Sequence, residues 1–160
     1  TRLHQLEEVV QICRLMWTEE HPTFTGGHFS IDNAAATPRP DVVPPICIGS
    51  SGEQIGLPIV GRQADIWNGH HRSDEAWLRM RDIVHSAASD AGRDPFDVEC
   101  SITVAGDLPT SDAASEEWVE RLTHLRSLGA EHFIMDFGHP LDVEPVLRFA
   151  EQVIGPMRAN

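Results

Sequence analysis

Gly49-Ser50-Ser51-Gly52 is the stretch of this sequence best suited to chemistry. It stands between a short apolar run, Ile46-Cys47-Ile48, and a segment of helical composition beginning near Glu53. A turn in that place offers backbone N–H groups at a helix start, where the helix dipole favours an anion. Glycine at both ends lets the backbone approach a phosphate closely, and two serine hydroxyls add hydrogen bonds. An ordinary tight turn from strand to helix is the other reading. The pattern G-x-S-x-G read from Gly49 fails, because Glu53 stands where it requires glycine, which argues against a serine hydrolase.

The other chemistry-bearing residues are scattered. Asp65, Trp67 and Asn68 are expected at the carboxyl end of a strand over 64–67. Trp67 there walls a pocket or packs in the core, and Asp65 bonds nearby backbone. His139 follows Asp136-Phe137-Gly138 at another strand end. It either meets a substrate or phosphate or faces solvent ahead of Pro140. His70 and His71 are adjacent and so cannot face one ion together, and no metal site is expected. Cys13, Cys47 and Cys100 are odd in number, far apart and without a CxxC pair, which supports neither zinc nor a disulfide framework. Buried reduced thiols are expected. Glu7-Glu8, Glu19-Glu20 and Glu116-Glu117 read as solvated charge near helix ends. No residue is assigned a catalytic role.

The elements that must position these residues follow from periodicity. Leu3, Leu6, Val9, Val10, Cys13, Met16 and Trp17 recur at helical spacing, which predicts a helix over 2–18 stopped before Pro22. Residues 23–31 read as a small β-hairpin turning at Gly26-Gly27. Four strand–helix units follow, with strands over 46–48, 64–67, 98–105 and 132–137. Their helices run from about 53 to 63, behind an N-cap at Ser73, behind an N-cap at Ser115, and over 143–157. Trp77 and Trp118 lie on apolar stripes and read as core. Strands alternating with helices imply a parallel sheet with right-handed crossovers. Four βα units are half of an eightfold barrel; a small open parallel sheet is the rival.

Composition narrows the class. With 160 residues the chain has room for one domain with a core. The net charge of −13, with arginine as the sole basic residue besides histidine, argues against nucleic acid as a partner. No apolar run approaches the roughly 18 to 20 residues of a membrane helix, and no signal-peptide pattern opens the chain. A cytoplasmic location is expected.

Several segments in order resemble the luciferase-like monooxygenase superfamily, in particular its branch dependent on the deazaflavin coenzyme F420. They are Leu6-Glu7-Glu8-Val9-Val10, Leu15-Met16-Trp17-Thr18-Glu19-Glu20, the Phe24 to Phe29 hairpin with Gly27, Pro44-Pro45-Ile46-Cys47-Ile48-Gly49-Ser50-Ser51-Gly52-Glu53, Ala64-Asp65-Ile66-Trp67-Asn68 and Ala91-Gly92-Arg93-Asp94-Pro95. The resemblance spans Leu3 to about Met157. It implies an α/β fold, the C-terminal half of a (β/α)8 TIM barrel, with residues 1–160 as a single partial domain. It further implies an oxidoreductase or monooxygenase using F420 or FMN on a small organic substrate. Gly49, Ser50, Ser51, Gly52 and Trp67 would bind the cofactor, and His139 the substrate. The first four barrel strands are absent, so this chain is expected to be a fragment inactive by itself. The alternative is a non-catalytic half-barrel serving assembly or regulation. Open apolar strand edges at 46–48 and 133–135 predict association, either as a homodimer or with the missing N-terminal half.

Overall fold

Helix α1 (Arg2–Thr18) opens the chain, and Thr18 closes it by donating from Oγ1 to the Arg14 carbonyl at 2.8 Å. Of its residues only Val10 is buried; Val9 is exposed and the rest of its apolar stripe is half-covered. Strands β1 (Phe24–Thr25) and β2 (Ser30–Ile31) pair antiparallel, with the Gly26 N–H donating to the Phe29 carbonyl at 2.8 Å across the turn. The computed structural model describes residues 2–138 and 142–159.

The four remaining strands are β3 (Cys47–Gly49), β4 (Ile66–Gly69), β5 (Glu99–Ala105) and β6 (His132–Asp136), joined in the order β3-β4-β5-β6. The helices between them are α2 (Gly56–Gln63), α3 (Asp74–Asp90) and α4 (Asp112–Ser127). The residues gather into two compact units, one of Thr1–Trp67 with Met80–Val98, the other of Asn68–Arg79 with Glu99–Asn160.

In the first unit β3 meets the opening of β4. That strand begins two residues later than periodicity predicts. Ala64 serves as the C-cap of α2, and Asp65 turns aside to accept the Ile46 N–H at 2.7 Å, so extended pairing starts only at Ile66. Leu57, Ile59, Val60, Trp67 and Val84 fill the core of this unit with no exposed surface. Gly61 lets α2 and α3 approach closely. A Cβ there would collide with the Val84 carbonyl and stand 2.8 Å from the Ala88 nitrogen.

In the second unit β5 and β6 are parallel, Ser101 opposite His132 and Thr103 opposite Ile134. Serine caps start the helices of this region. Ser73 Oγ accepts the Ala76 N–H at 3.2 Å for α3, and Ser111 Oγ accepts the Ala114 N–H at 3.2 Å for α4. The α4 cap is therefore Ser111 and not Ser115. Ser115 lies inside the helix, buried, donating to Gln152 Oε1 at 2.8 Å. Gly92 and Gly129 end α3 and α4 with φ of 74° and 90°, a conformation that an L side chain resists.

The helix expected over 143–157 is interrupted. Helix α5 (Val143–Phe149) passes through a π-turn at Ala150–Ile154 into α6 (Gly155–Ala159). Pro156 has no N–H to donate and its ring crowds the carbonyl four residues back. The Gly155 N–H meanwhile reaches back five residues to the Ala150 carbonyl, a widened turn. Trp118, Phe137 and Phe149 pack edge to face, with ring centroids 4.8 to 6.0 Å apart.

Candidate functional site

Strand β3 ends at Gly49, and the chain turns through Ser50, Ser51 and Gly52 before α2 begins at Gly56. The turn is braced from inside. Trp67 Nε1 donates to the Ser50 carbonyl at 2.9 Å, and Ser50 Oγ accepts the Gly52 N–H at 3.3 Å. The Leu57 N–H donates to the Gly52 carbonyl at 2.9 Å and so fastens the helix start to the turn. Gly56 makes the fold-back possible, because a Cβ on it would occupy the position of the Ser50 hydroxyl. Glycine is a weak helix former; the value of Gly56 here is space.

What remains is a set of donors. Ile55, at the N-cap of α2, supplies no side-chain cap. Among the described residues the backbone N–H groups of Ser51, Gln54 and Ile55 meet no acceptor. Gly52 keeps the near space open, since a Cβ there would find its closest neighbour 3.9 Å away. Unpaired N–H groups at the positive end of a helix attract an oxyanion, so the donor set fits a phosphate group. Ser51, exposed, adds a hydroxyl.

Trp67 has a different place from the ring-lining one expected of it. Its side chain has no exposed surface and stands behind the turn, where its indole N–H fixes Ser50. Asp65 precedes β4 instead of closing it. Its carboxylate accepts from Arg14 Nη2 at 2.9 and 3.0 Å and from the Ile46 N–H, while Arg93 donates to the Gly61 and Ala64 carbonyls at 2.7 Å each. This cluster ties α1, α2 and the start of two strands together. His139 lies outside the described residues.

The second unit joins Asn68 to two hydroxyl residues, Ser101 and Thr103, that sequence reading missed. Asn68 Nδ2 donates to Ser101 Oγ at 3.1 Å, and Thr103 Oγ1 donates to Asn68 Oδ1 at 3.3 Å. Ser101 is wholly buried. The signal was present as two hydroxyl residues alternating with apolar ones inside a strand.

Other polar residues form structural links. Glu8 is not simply solvated charge, because its carboxylate accepts three successive backbone N–H groups of the hairpin turn. These come from Gly27 at 2.9 Å, His28 at 2.9 Å and Phe29 at 2.8 Å. Partial desolvation pushes this carboxyl up, but the bonds from Phe29, His28 and Gly27, with the charge of His28, hold it below its ordinary value. Asp74 is bonded first by His124 and then by His71, at 3.0 and 2.7 Å, and its carboxyl also titrates below the usual range. His70 is exposed. Among the described residues no group of three or more His, Cys, Asp or Glu is arranged for a metal ion. No helix there is long and apolar enough to cross a membrane. The three cysteines are thiols, as expected, but Cys47 is exposed on the edge strand β3 and Cys13 is half-covered; only Cys100 is buried.

A cavity of about 630 Å³ opens elsewhere, along α4 and the π-turn, lined by Asp112, Ser115, Glu116, Val119, Glu120 and Gln152. Its carboxylates repel a phosphate, so it does not compete for one.

Comparison with known proteins agrees with the architecture. An F420-dependent secondary alcohol dehydrogenase, solved in complex with an F420-acetone adduct, aligns with a TM-score of 0.82 at 17% identity, over 96% of this chain and 61% of that one. EDTA monooxygenase (EmoA) from Chelativorans sp. BNC1 aligns with a TM-score of 0.73 at 12% identity, over 99% of this chain and 59% of that one. At such identities the likeness shows the fold, a partial TIM barrel. The F420-dependent hydroxymycolic acid dehydrogenase of Mycobacterium tuberculosis (strain ATCC 25618 / H37Rv) is 29% identical over 120 residues. That match covers 73% of this chain and 33% of the relative's length. Residues 1–153 match the sequence profile of luciferase-like monooxygenases, and the chain belongs to that family.

Proposed function

We propose that this chain forms the cofactor-phosphate side of a flavin- or deazaflavin-dependent oxidoreductase acting on a small organic substrate, with FMN or coenzyme F420 as the cofactor. The observation that carries the reading is the glycine-serine turn with unpaired Ser51, Gln54 and Ile55 N–H groups at an uncapped helix start. Gly49, Ser50, Ser51 and Gly52 hold the phosphate, and Trp67 positions Ser50 from behind. The ring system supplies hydride transfer, or in the flavin case reaction with oxygen. The protein's part is to bind and orient it. The relatives named for F420 support the deazaflavin, and the monooxygenase neighbour supports the alternative. His139 remains the proposed substrate contact.

The test is a fluorescence titration of the full chain with FMN and with riboflavin, which lacks the phosphate, followed by competition with F420. FMN is expected to bind at least about tenfold more tightly than riboflavin, because charge-assisted bonds to phosphate are among the stronger ones. Gly52→Asp places a carboxylate in the cup and should erase that preference. Equal binding of FMN and riboflavin by the unmodified chain overturns the phosphate reading. Failure of all three ligands to bind favours a non-catalytic half-barrel module.

Association belongs to the same proposal. Ile134 on β6 is 41% exposed, and Val143 and Leu147 on α5 are 74% and 55% exposed. Exposed apolar surface of this kind, on a strand edge and on a helix, pairs with further chain. Either the complementary half of a barrel or a second copy covers it.

A further inference from the structure

The sheet of the second unit has one apolar face and one largely polar face that also carries Ile134. On β5, Cys100, Ile102 and Val104 are buried and apolar, while strand alternation turns Ser101 and Thr103 to the opposite side. The register with β6 adds His132, Ile134 and Asp136 to that side, and Asn68 of β4 joins it through its bonds to Ser101 and Thr103. Parallel sheets ordinarily read apolar on both faces, and inward positions of parallel barrels are filled by branched apolar residues. Here a carboxamide and two hydroxyls take those places. Burying them brings no hydrophobic gain, so packing does not explain them.

The carboxamide is also left half used. A primary amide has two N–H donors and two lone pairs on oxygen. Ser101 takes one donor and Thr103 fills one lone pair, and Asn68 has no other partner among the described residues. Because a hydroxyl both donates and accepts, this balance is the same whichever way the amide is turned. One N–H and one lone pair remain on a half-buried, oriented side chain. That is the complement of a group offering an acceptor and a donor side by side.

We propose that Asn68 is a ligand-recognition residue that reads the –CO–NH– edge of a planar heterocycle, with Ser101 and Thr103 as the residues that position it. The inference rests on the flavin or deazaflavin reading, since both rings carry a pyrimidinedione with this edge, and it deepens that reading by naming the residue. Asn68 donates its remaining N–H to a ring carbonyl and accepts the neighbouring ring N–H.

The test uses lumiflavin, which has the ring but no phosphate or ribityl chain, and 3-methyllumiflavin, in which the imide N–H is blocked. Equilibrium dialysis against the full chain should show lumiflavin bound at least about tenfold more tightly than its methylated form. Asn68→Leu should bring the two affinities together. Asn68→Asp, close in shape and still able to accept from Thr103, should lose about tenfold for lumiflavin, because it has no N–H to give. Ser101→Ala with Thr103→Val should reduce the discrimination without abolishing ring binding, as expected of positioning residues. A preference for lumiflavin that persists unchanged in both Asn68 variants overturns the proposal, as does an unmodified chain that ignores methylation or binds no lumiflavin. The phosphate reading stands or falls separately, on FMN against riboflavin.

Discussion

Glu8 shows how one side chain acquires a role from distant backbone. Its carboxylate accepts three N–H bonds from residues 19 to 21 positions ahead and so anchors the hairpin turn. With its folded carboxyl below the ordinary 4.5, the stabilisation is fully present above pH 4.5 and is lost as pH falls through the folded value. Glu8→Gln should therefore lower the melting temperature at pH 7, and the gap to the unmodified chain should be smaller at pH 3. Thermal scans at the two pH values check this; a gap that does not change with pH would mean that the charge is idle.

Glycine at position 61 makes the same point through space. Gly61→Ala raises helix propensity by about 1 kcal/mol, yet the added Cβ meets backbone of α3 that cannot step aside. The net effect in urea unfolding should be a loss of about 1–3 kcal/mol.

At the scale of elements, the Asp65 cluster decides where β4 begins and how α1 is attached. Removing the carboxylate leaves the Ile46 N–H without its acceptor and Arg14 without its ion pair. Asp65→Ala should cost about 1–3 kcal/mol in chemical denaturation. Asp65→Asn should cost less, because the amide oxygen still accepts the Ile46 N–H. Equal losses for the two would put the weight on charge instead of on the hydrogen bond. The order of elements was legible in the sequence, since helix and strand periods are local and Gly92 and Gly129 stop their helices as expected. Boundaries were less so. Ser111 and Ser115 are both acceptable caps by local chemistry, and burial of Ser115 against Gln152 settles which one serves.

For the whole molecule, the exposed residues of β6 and α5 set the expected state. Native mass spectrometry of the full chain should show association or a tightly held ligand in place of a bare monomer. Ile134→Lys, which places a charge on the open edge, should shift any homodimer towards monomer. A bare monomer that unfolds in one cooperative step would overturn the association proposal.

The sequence by itself determined the class: alternating strands and helices, an acidic surface poor in partners for phosphate backbones, and a glycine-serine turn fit for an anion. Each of these follows from periods, turn residues and composition, which act over a few positions. Tertiary structure alone decided that Trp67 stands behind the turn, that Glu8 and Asp65 are anchors, and that Asn68 is held by two hydroxyls. Those roles depend on partners 17 to 51 residues away, and a side chain's hydrogen bonds are chosen by what folding brings within about 3 Å of it.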